Sequence, residues 1–522
     1  MAKSWILAEP TTGFPVPDDV PDQRRRWVVL SCTAVSSAIN CFMWMSYSGT
    51  PDTSKVVLGS PSEPISDEDL DWTYSASLSA VCVLMMPAAY LIEWHNYGIM
   101  LSSVCLNMAA AWLRYASVAC ASYGLAILSA ILLGGATAVI MPAFAHLPAV
   151  WFPPHERAFA TALSVQSWYA GWALGALIIP LVVSDAASMK DTMLAQAAVT
   201  SLSLPLFLGL YVAEPPATTT APKLSSTSSP QPAEHLHAAS DTKSHLAASV
   251  GDSLYAISRN GQFWVHALSY GLLAGVSFTI PAITANSLSA KADCMQPALP
   301  YVADQTMWLN FGFITSGVVG GVLLGSLSTE PQEPLIIRLS AGLCAATLTI
   351  LFVVTRPPLL RAIGDGPLLL AILVVLLSGA GASSLGFFSL GLRSAARVGE
   401  PVSHVYTAGL TEMLSQLLAV SLTQSSVCPV GFKACALSSI VVAVALVSAA
   451  RFPRHGQPLA RVDSAAAPHT RPALILKLPS SEARYVHIRP TVRSCLNVVI
   501  LWNWGAACVE GRCRAASRLQ GI

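Results

Sequence analysis

The side chains that could do chemistry in this sequence lie inside long apolar runs, where a polar group is costly and tends to mark the path of a solute. Asn40 and Trp44 stand four residues apart in the first such run, so both fall on one helix face. His266 and Tyr270 repeat that spacing in the second half of the chain and are followed by Gly271 and Gly275. In between, Gln166 precedes Trp168, Tyr169 and Trp172, with Gly171 and Gly175 thinning the same segment. A run near the end holds His404, Tyr406, Glu412, Ser415 and Gln416. Amides and aromatic rings so placed suit the lining of a solute cavity. Glu412 suits proton coupling, and His266 and His404 suit gating or coupling. Each has a second reading. Buried Asn and Gln also bond neighbouring helices, Trp and Tyr also mark the headgroup zone, and Glu412 also fits a structural hydrogen bond or the cytosolic edge. Arg114 is expected at an outer helix end, snorkelling to water.

The elements that position these residues follow from composition. The chain has 522 residues, 53% hydrophobic and 11% charged. Soluble chains carry about 25% charged residues, so a water-soluble surface of this size is excluded. High apolar content excludes intrinsic disorder of the whole. A formal charge of +1 gives no overall pull toward nucleic acid. Twelve cysteines are scattered through the sequence without zinc-ligand or redox spacing. With no phosphate-cradling loop, metal motif or nucleophile elbow, the sequence predicts no catalytic centre, metal or cofactor.

A span needs about 20 apolar residues. Twelve candidates run near Trp27–Ser48, Trp72–Ile92, Gly98–Val118, Tyr123–Ala145, Ala158–Val183, Thr192–Val212, Trp264–Ser287, Thr306–Leu327, Pro334–Val354, Pro367–Leu390, Val402–Thr423 and Gly431–Ala450. Six and six are separated by residues 213–258, whose PPATTTAP and KLSSTSSPQP stretches read as a flexible cytosolic linker. The expectation is an all-α membrane protein of two six-helix bundles, residues 27–212 and 259–451, as in secondary transporters built from repeats. First, fifth and seventh spans would line the cavity. The cluster Gly317, Gly320, Gly321 and Gly325 would be a close-packing and rocking surface.

Arg24, Arg25 and Arg26 precede the first span and put the segment 1–26 in the cytosol. The loop after it holds six acids (Asp52, Glu63, Asp67, Glu68, Asp69, Asp71) against Lys55, as suits an outer face. Both termini are then cytosolic, although Arg356 and Arg361 fall outside. The tail 452–522 is basic and reads as disordered: from Pro453 onward it has ten Lys/Arg and three acids, whereas residues 1–452 have 19 against 25. The body is therefore mildly acidic, which suits a cationic solute.

The stretches RRWVVLSCTAVSSAINCFMW (Arg25–Trp44), AAAWLRYAS (Ala109–Ser117), PAVWFPPHERAFATALSVQ (Pro148–Gln166) and SYGLLAG (Ser269–Gly275) resemble the FLVCR family, the feline leukaemia virus subgroup C receptor-related transporters of the major facilitator superfamily. The resemblance covers roughly residues 24–450. It implies transport of choline or ethanolamine, with haem, pyridoxine or a non-transporting receptor role as alternatives, by a monomer in the bilayer, at the plasma membrane rather than an organelle. It also implies that Trp44 and Tyr270 face the amine, with Asn40 and Gln166 nearby. Aromatic faces suit a quaternary ammonium. For haem, His266 or His404 would be the contacts. Where relatives tend to carry glutamates before the eleventh span, this sequence has Arg393 and Arg397.

Overall fold

In lipid the backbone must satisfy its own polar groups, and long apolar runs do so as helices. A computed structural model describes residues 23–59, 64–212, 254–288, 300–303, 305–328, 331–400, 402–425 and 432–452. The N-terminal segment 1–22, most of the expected linker (213–253) and the tail 453–522 lie outside the described residues. Residues 254–259, spanning the expected linker's end, are helical.

The first half comprises α1 (Gln23–Ser48), the short α2 (Pro51–Leu58), α3 (Asp67–Ala119), α4 (Tyr123–Trp151), α5 (Pro154–Val182) and α6 (Ala186–Leu210). The second comprises α7 (Gly261–Leu288), α8 (Pro300–Ala303), α9 (Thr306–Leu327), α10 (Glu333–Val354), α11 (Pro357–Ile363), α12 (Pro367–Ser384), α13 (Phe387–Val398), α14 (His404–Ser425) and α15 (Phe432–Ser448). Among the described residues, nine helices are long and apolar enough to cross a membrane. The 53-residue α3 counts once but has two arms, because its backbone leaves the helical region at His95 (φ −142°, ψ 59°). Its arms are the second and third expected spans, joined through EWHNYG without a separate loop. Polar α14 and the 17-residue α15 complete the twelve.

The tenth span departs from expectation. It breaks at Leu385–Gly386 and continues as α13 to Val398, past the expected end at Leu390. The extension is tolerated because Arg397 and Arg393 of α13 lie 3.1 and 3.7 Å from Glu333, in the first turn of α10. The first bundle has a counterpart at its own helix starts. Pro153 caps α5, Pro154 opens it, and Glu156 sits in the first turn, where the helix dipole favours an anion. Arg26 reaches Glu156 at 2.7 Å and so ties the start of α1 to the start of α5.

Helices α1 and α3–α6 pack together, as do α7, α9, α10 and α12–α15. The two bundles meet where α5 lies on α9 and α13, and where α14 lies on α3 and α4. The pairing of α1 with α5 is close: a Cβ on Gly171 would stand 2.0 Å from the Ala38 carbonyl oxygen. The four glycines of α9 divide their work. Gly317 and Gly320 abut Leu385 and Ala382 of their own bundle, whereas Gly321 and Gly325 abut Gln166 and Ala162 of the other.

Candidate functional site

Asn40 is fully buried (0% exposed) and works as a hub. Its Nδ2 donates to Asn107 Oδ1 at 2.8 Å, and its Oδ1 accepts from Thr137 Oγ1 at 2.9 Å and from Trp168 Nε1 at 3.0 Å. One α1 amide thus ties together α3, α4 and α5 and fixes the Trp168 ring. Interhelical side-chain bonds in membranes are worth about 0.6 kcal/mol each on average. Asn40→Ala, which removes three interhelical hydrogen bonds, is expected to cost about 2 kcal/mol. A thermal-unfolding comparison in detergent checks this; an unchanged midpoint would remove Asn40 from the scaffold.

Trp44, one turn further on, is half-buried, and its Nε1 donates only at 3.4 Å, to Thr137 Oγ1. Its ring neighbours two others. These are Tyr74, edge-on at 5.2 Å, and Trp168, also edge-on, at 6.4 Å. From Trp168 the rings continue to Tyr169 (5.1 Å), then to Phe388 of α13 (5.3 Å), then to Tyr270 of α7 (5.2 Å). Phe278 of α7 closes the side, 5.4 Å from Trp172 and 6.3 Å from Trp168. A series of contacting aromatic rings, called the cage below, therefore crosses from one bundle to the other.

Gln166 also crosses. Its Nε2 donates to the Leu385 carbonyl oxygen at 3.1 Å, at the break between α12 and α13. Its Oε1 is buried without a hydrogen-bond partner. A buried amide acceptor left open is costly in the protein alone and fits a hydroxyl or ammonium donor from a solute. Tyr270 Oη donates to Glu412 Oε1, and Ser415 Oγ donates to Glu412 Oε2 at 3.1 Å. Glu412 stands eight residues inside α14 and 3% exposed, so it is an interior hydrogen-bonding residue and not one at the edge.

The histidines are placed differently. His266 is buried with both ring nitrogens engaged, Nδ1 with Ser394 Oγ at 3.0 Å and Nε2 with the Arg451 carbonyl oxygen at 3.2 Å. His404 is the half-exposed first residue of α14. Neither joins the cage. Arg114 also departs from expectation. It does not snorkel; it is 3% exposed, with its guanidinium 4.7 Å above the Tyr47 ring. No group of three or more His, Cys, Asp or Glu able to hold a metal occurs among the described residues.

Several cage residues come from elements that only tertiary packing brings near. Thr137, Asn107, Tyr74 and Phe388 carry no signal of their own in the sequence. Phe278 did: it continues the His266–Tyr270 stripe two turns further along one face of α7.

The Major Facilitator Superfamily sequence model matches residues 28–419. An uncharacterized MFS-type transporter of Caenorhabditis elegans is 22% identical over 411 residues, 77% of this chain and 64% of that protein. The choline/ethanolamine transporter FLVCR1 of Felis catus is 23% identical over 431 residues, 79% of this chain and 69% of its own. The chain thus spans about two thirds of the length of these relatives. The E. coli fucose:proton symporter FucP shares the fold, with a TM-score of 0.56 at 11% identity, covering 81% of this chain and 97% of that one. A FucP structure in the outward conformation matches equally well, with a TM-score of 0.56 at 12% identity over 80% of this chain and 98% of that one.

Proposed function

The chain belongs to the Major Facilitator Superfamily, and from that premise we propose that it carries a small organic cation of the choline or ethanolamine kind across a membrane by alternating access to the aromatic cage. The cage itself carries the reading. Its rings offer π faces to an ammonium group from both bundles, so closure on a cation and movement of the bundles are coupled by the same contacts. Trp44 and Tyr270 are the two ends of the ring series. Gln166 Oε1 is the acceptor for the alcohol or primary amine, and Asn40 holds Trp168 in register. Glu412 fixes the Tyr270 hydroxyl and puts a carboxylate directly behind that ring. The names of the similar FLVCR transporters point to the same solutes.

One of the two histidines expected for haem, His266, is unavailable as an axial ligand. Both nitrogens of His266 are spent on protein partners, leaving no lone pair for an axial bond. In this reading the end with the Arg26–Glu156 bridge faces the cytosol, following the arginines before α1. The bundles meet near that end through Gly325 and Ala162, so in this reading the arrangement is closed to the cytosol. We assign the protein to the plasma membrane as a monomer with both termini cytosolic.

Radiolabelled choline uptake into cells expressing the protein is the test. The expected result is saturable uptake above mock-transfected cells, competed by ethanolamine. Uptake at the mock level, with the protein present at the cell surface, would overturn the assignment.

A further inference from the structure

A cavity adjoins Trp44 and Tyr74. Its volume is about 120 Å³, and Trp44, Tyr47, Thr73, Tyr74, Asp71 and Arg114 are among the residues that line it. One water needs roughly 10–15 Å³ by this measure, so the cavity takes a polyatomic group. It is walled by the end of α1, the start of α2 and both ends of α3, and one of its wall residues is a buried charge. Arg114 is 3% exposed, and its Nε and Nη1 have no hydrogen-bond partner. No described residue forms a salt bridge with it; Tyr47 stacks on it at 4.7 Å. A cation–π contact offsets only part of what burying an unpaired charge costs. The guanidinium is therefore under-compensated and lines a cavity that Thr73 and Tyr74 also line. Arginine in such a setting is suited to a carboxylate or phosphate.

We propose that this cavity is an anion subsite, in which Arg114 receives the carboxylate or phosphate of a zwitterionic ammonium solute whose cationic end lies against Trp44. The substrate class then extends from choline to its acidic derivatives. The proposal rests on the reading of Trp44 as an ammonium contact. Trp44 is the shared residue: it lines the cavity, and its ring centroid stands 6.4 Å from that of Trp168 of the cage. A molecule with an ammonium and an acid a few bonds apart reaches both. Asp71, exposed at the cavity, disfavours a free inorganic anion and suits a ligand that brings its own positive charge.

Titration calorimetry on the purified full chain in detergent tests this with five probes: choline, carboxymethyl-trimethylammonium, phosphocholine, acetate and inorganic phosphate. At least one zwitterion is expected to bind about tenfold or more tightly than choline, a gain of about 1.4 kcal/mol. In Arg114→Gln that ratio should fall to about one, and Arg114→Lys should restore part of it. A ratio near one in the wild type, or a ratio unchanged by Arg114→Gln, overturns the proposal. So does acetate or phosphate binding as tightly as the zwitterion, which would make the cavity a separate anion site. If Arg114→Gln does not fold, the wild-type ratio and Arg114→Lys decide. Zwitterion binding that depends on Arg114 without any choline binding would sink the choline assignment and leave this subsite standing. Choline binding without a zwitterion advantage would do the reverse.

Discussion

Trp44→Ala is expected to raise the choline concentration for half-maximal uptake by about ten- to thirtyfold, because a desolvated cation–π contact contributes about 2 kcal/mol and each 1.4 kcal/mol is about a factor of ten. Trp44→Phe keeps a π face and should cost only about threefold, in line with the weaker ring. The residue suits this test because it carries little of the scaffold. Its ring is half-buried, and its single hydrogen bond is long, 3.4 Å to Thr137 Oγ1, and Thr137 keeps Asn40 Oδ1 at 2.9 Å without it. The neighbouring Trp168 makes a poor substitute for the experiment. Its removal opens the Asn40 hub as well as the cage. The measurement is concentration-dependent uptake corrected for surface protein. Equal half-saturation in wild type and Trp44→Ala would take Trp44 out of the solute contact, whatever the solute.

The spans were readable from hydrophobic run length alone, since each must cross about 30 Å of hydrocarbon. What run length misses is how neighbouring runs connect. The EWHNYG stretch reads as a loop because it is polar, but the chain needs only one non-helical residue, His95, to turn between the two arms of α3. The tenth span is masked for the opposite reason. Arg393 and Arg397 look like the end of an apolar run, yet Glu333 comes from α10, distant in sequence, to neutralise them. Site residues show the same split. The i, i+4 pairs identify faces, so Asn40 with Trp44 and His266 with Tyr270 were visible as pairs. Which member of each pair faces the cage depends on partners in other helices. Asn40 is taken up by Asn107, Thr137 and Trp168, and His266 by Ser394 and Arg451. In both pairs the aromatic residue is left for the cage. Arg114 was misplaced because snorkelling assumes that water is the nearest relief for its charge, and here the Tyr47 ring is at hand.

On the proposed function the cage holds the solute, but transport also requires the bundles to part, and the α5–α9 seam is where that parting is expected. Gly321→Leu is expected to lower uptake to below about a tenth of wild type, with normal surface expression. At Gly321 a Cβ would stand 2.0 Å from Gln166 Nε2 and 2.4 Å from its Cδ. That side chain cannot simply step aside, because Nε2 is anchored on the Leu385 carbonyl oxygen and the side chain is buried. One turn on, a Cβ at Gly325 would stand 2.3 Å from Ala162 Cβ, so the seam has no slack there either. Overpacking a filled core costs about 1–3 kcal/mol. A penalty that falls on one state alone shifts the two-state balance by a factor of about 5 to 150. The variant should therefore keep its fold and lose the conformation in which α5 and α9 meet. Gly342→Leu is the control, since a Cβ there meets nothing within 4 Å, and it should transport normally. A maleimide-accessibility measurement on Ala162→Cys distinguishes a trapped carrier from a collapsed one. Labelling of that cysteine should rise in the Gly321→Leu background and stay low in the Gly342→Leu background. Full uptake by Gly321→Leu, or no gain in labelling, would mean that the α5–α9 seam does not open during transport.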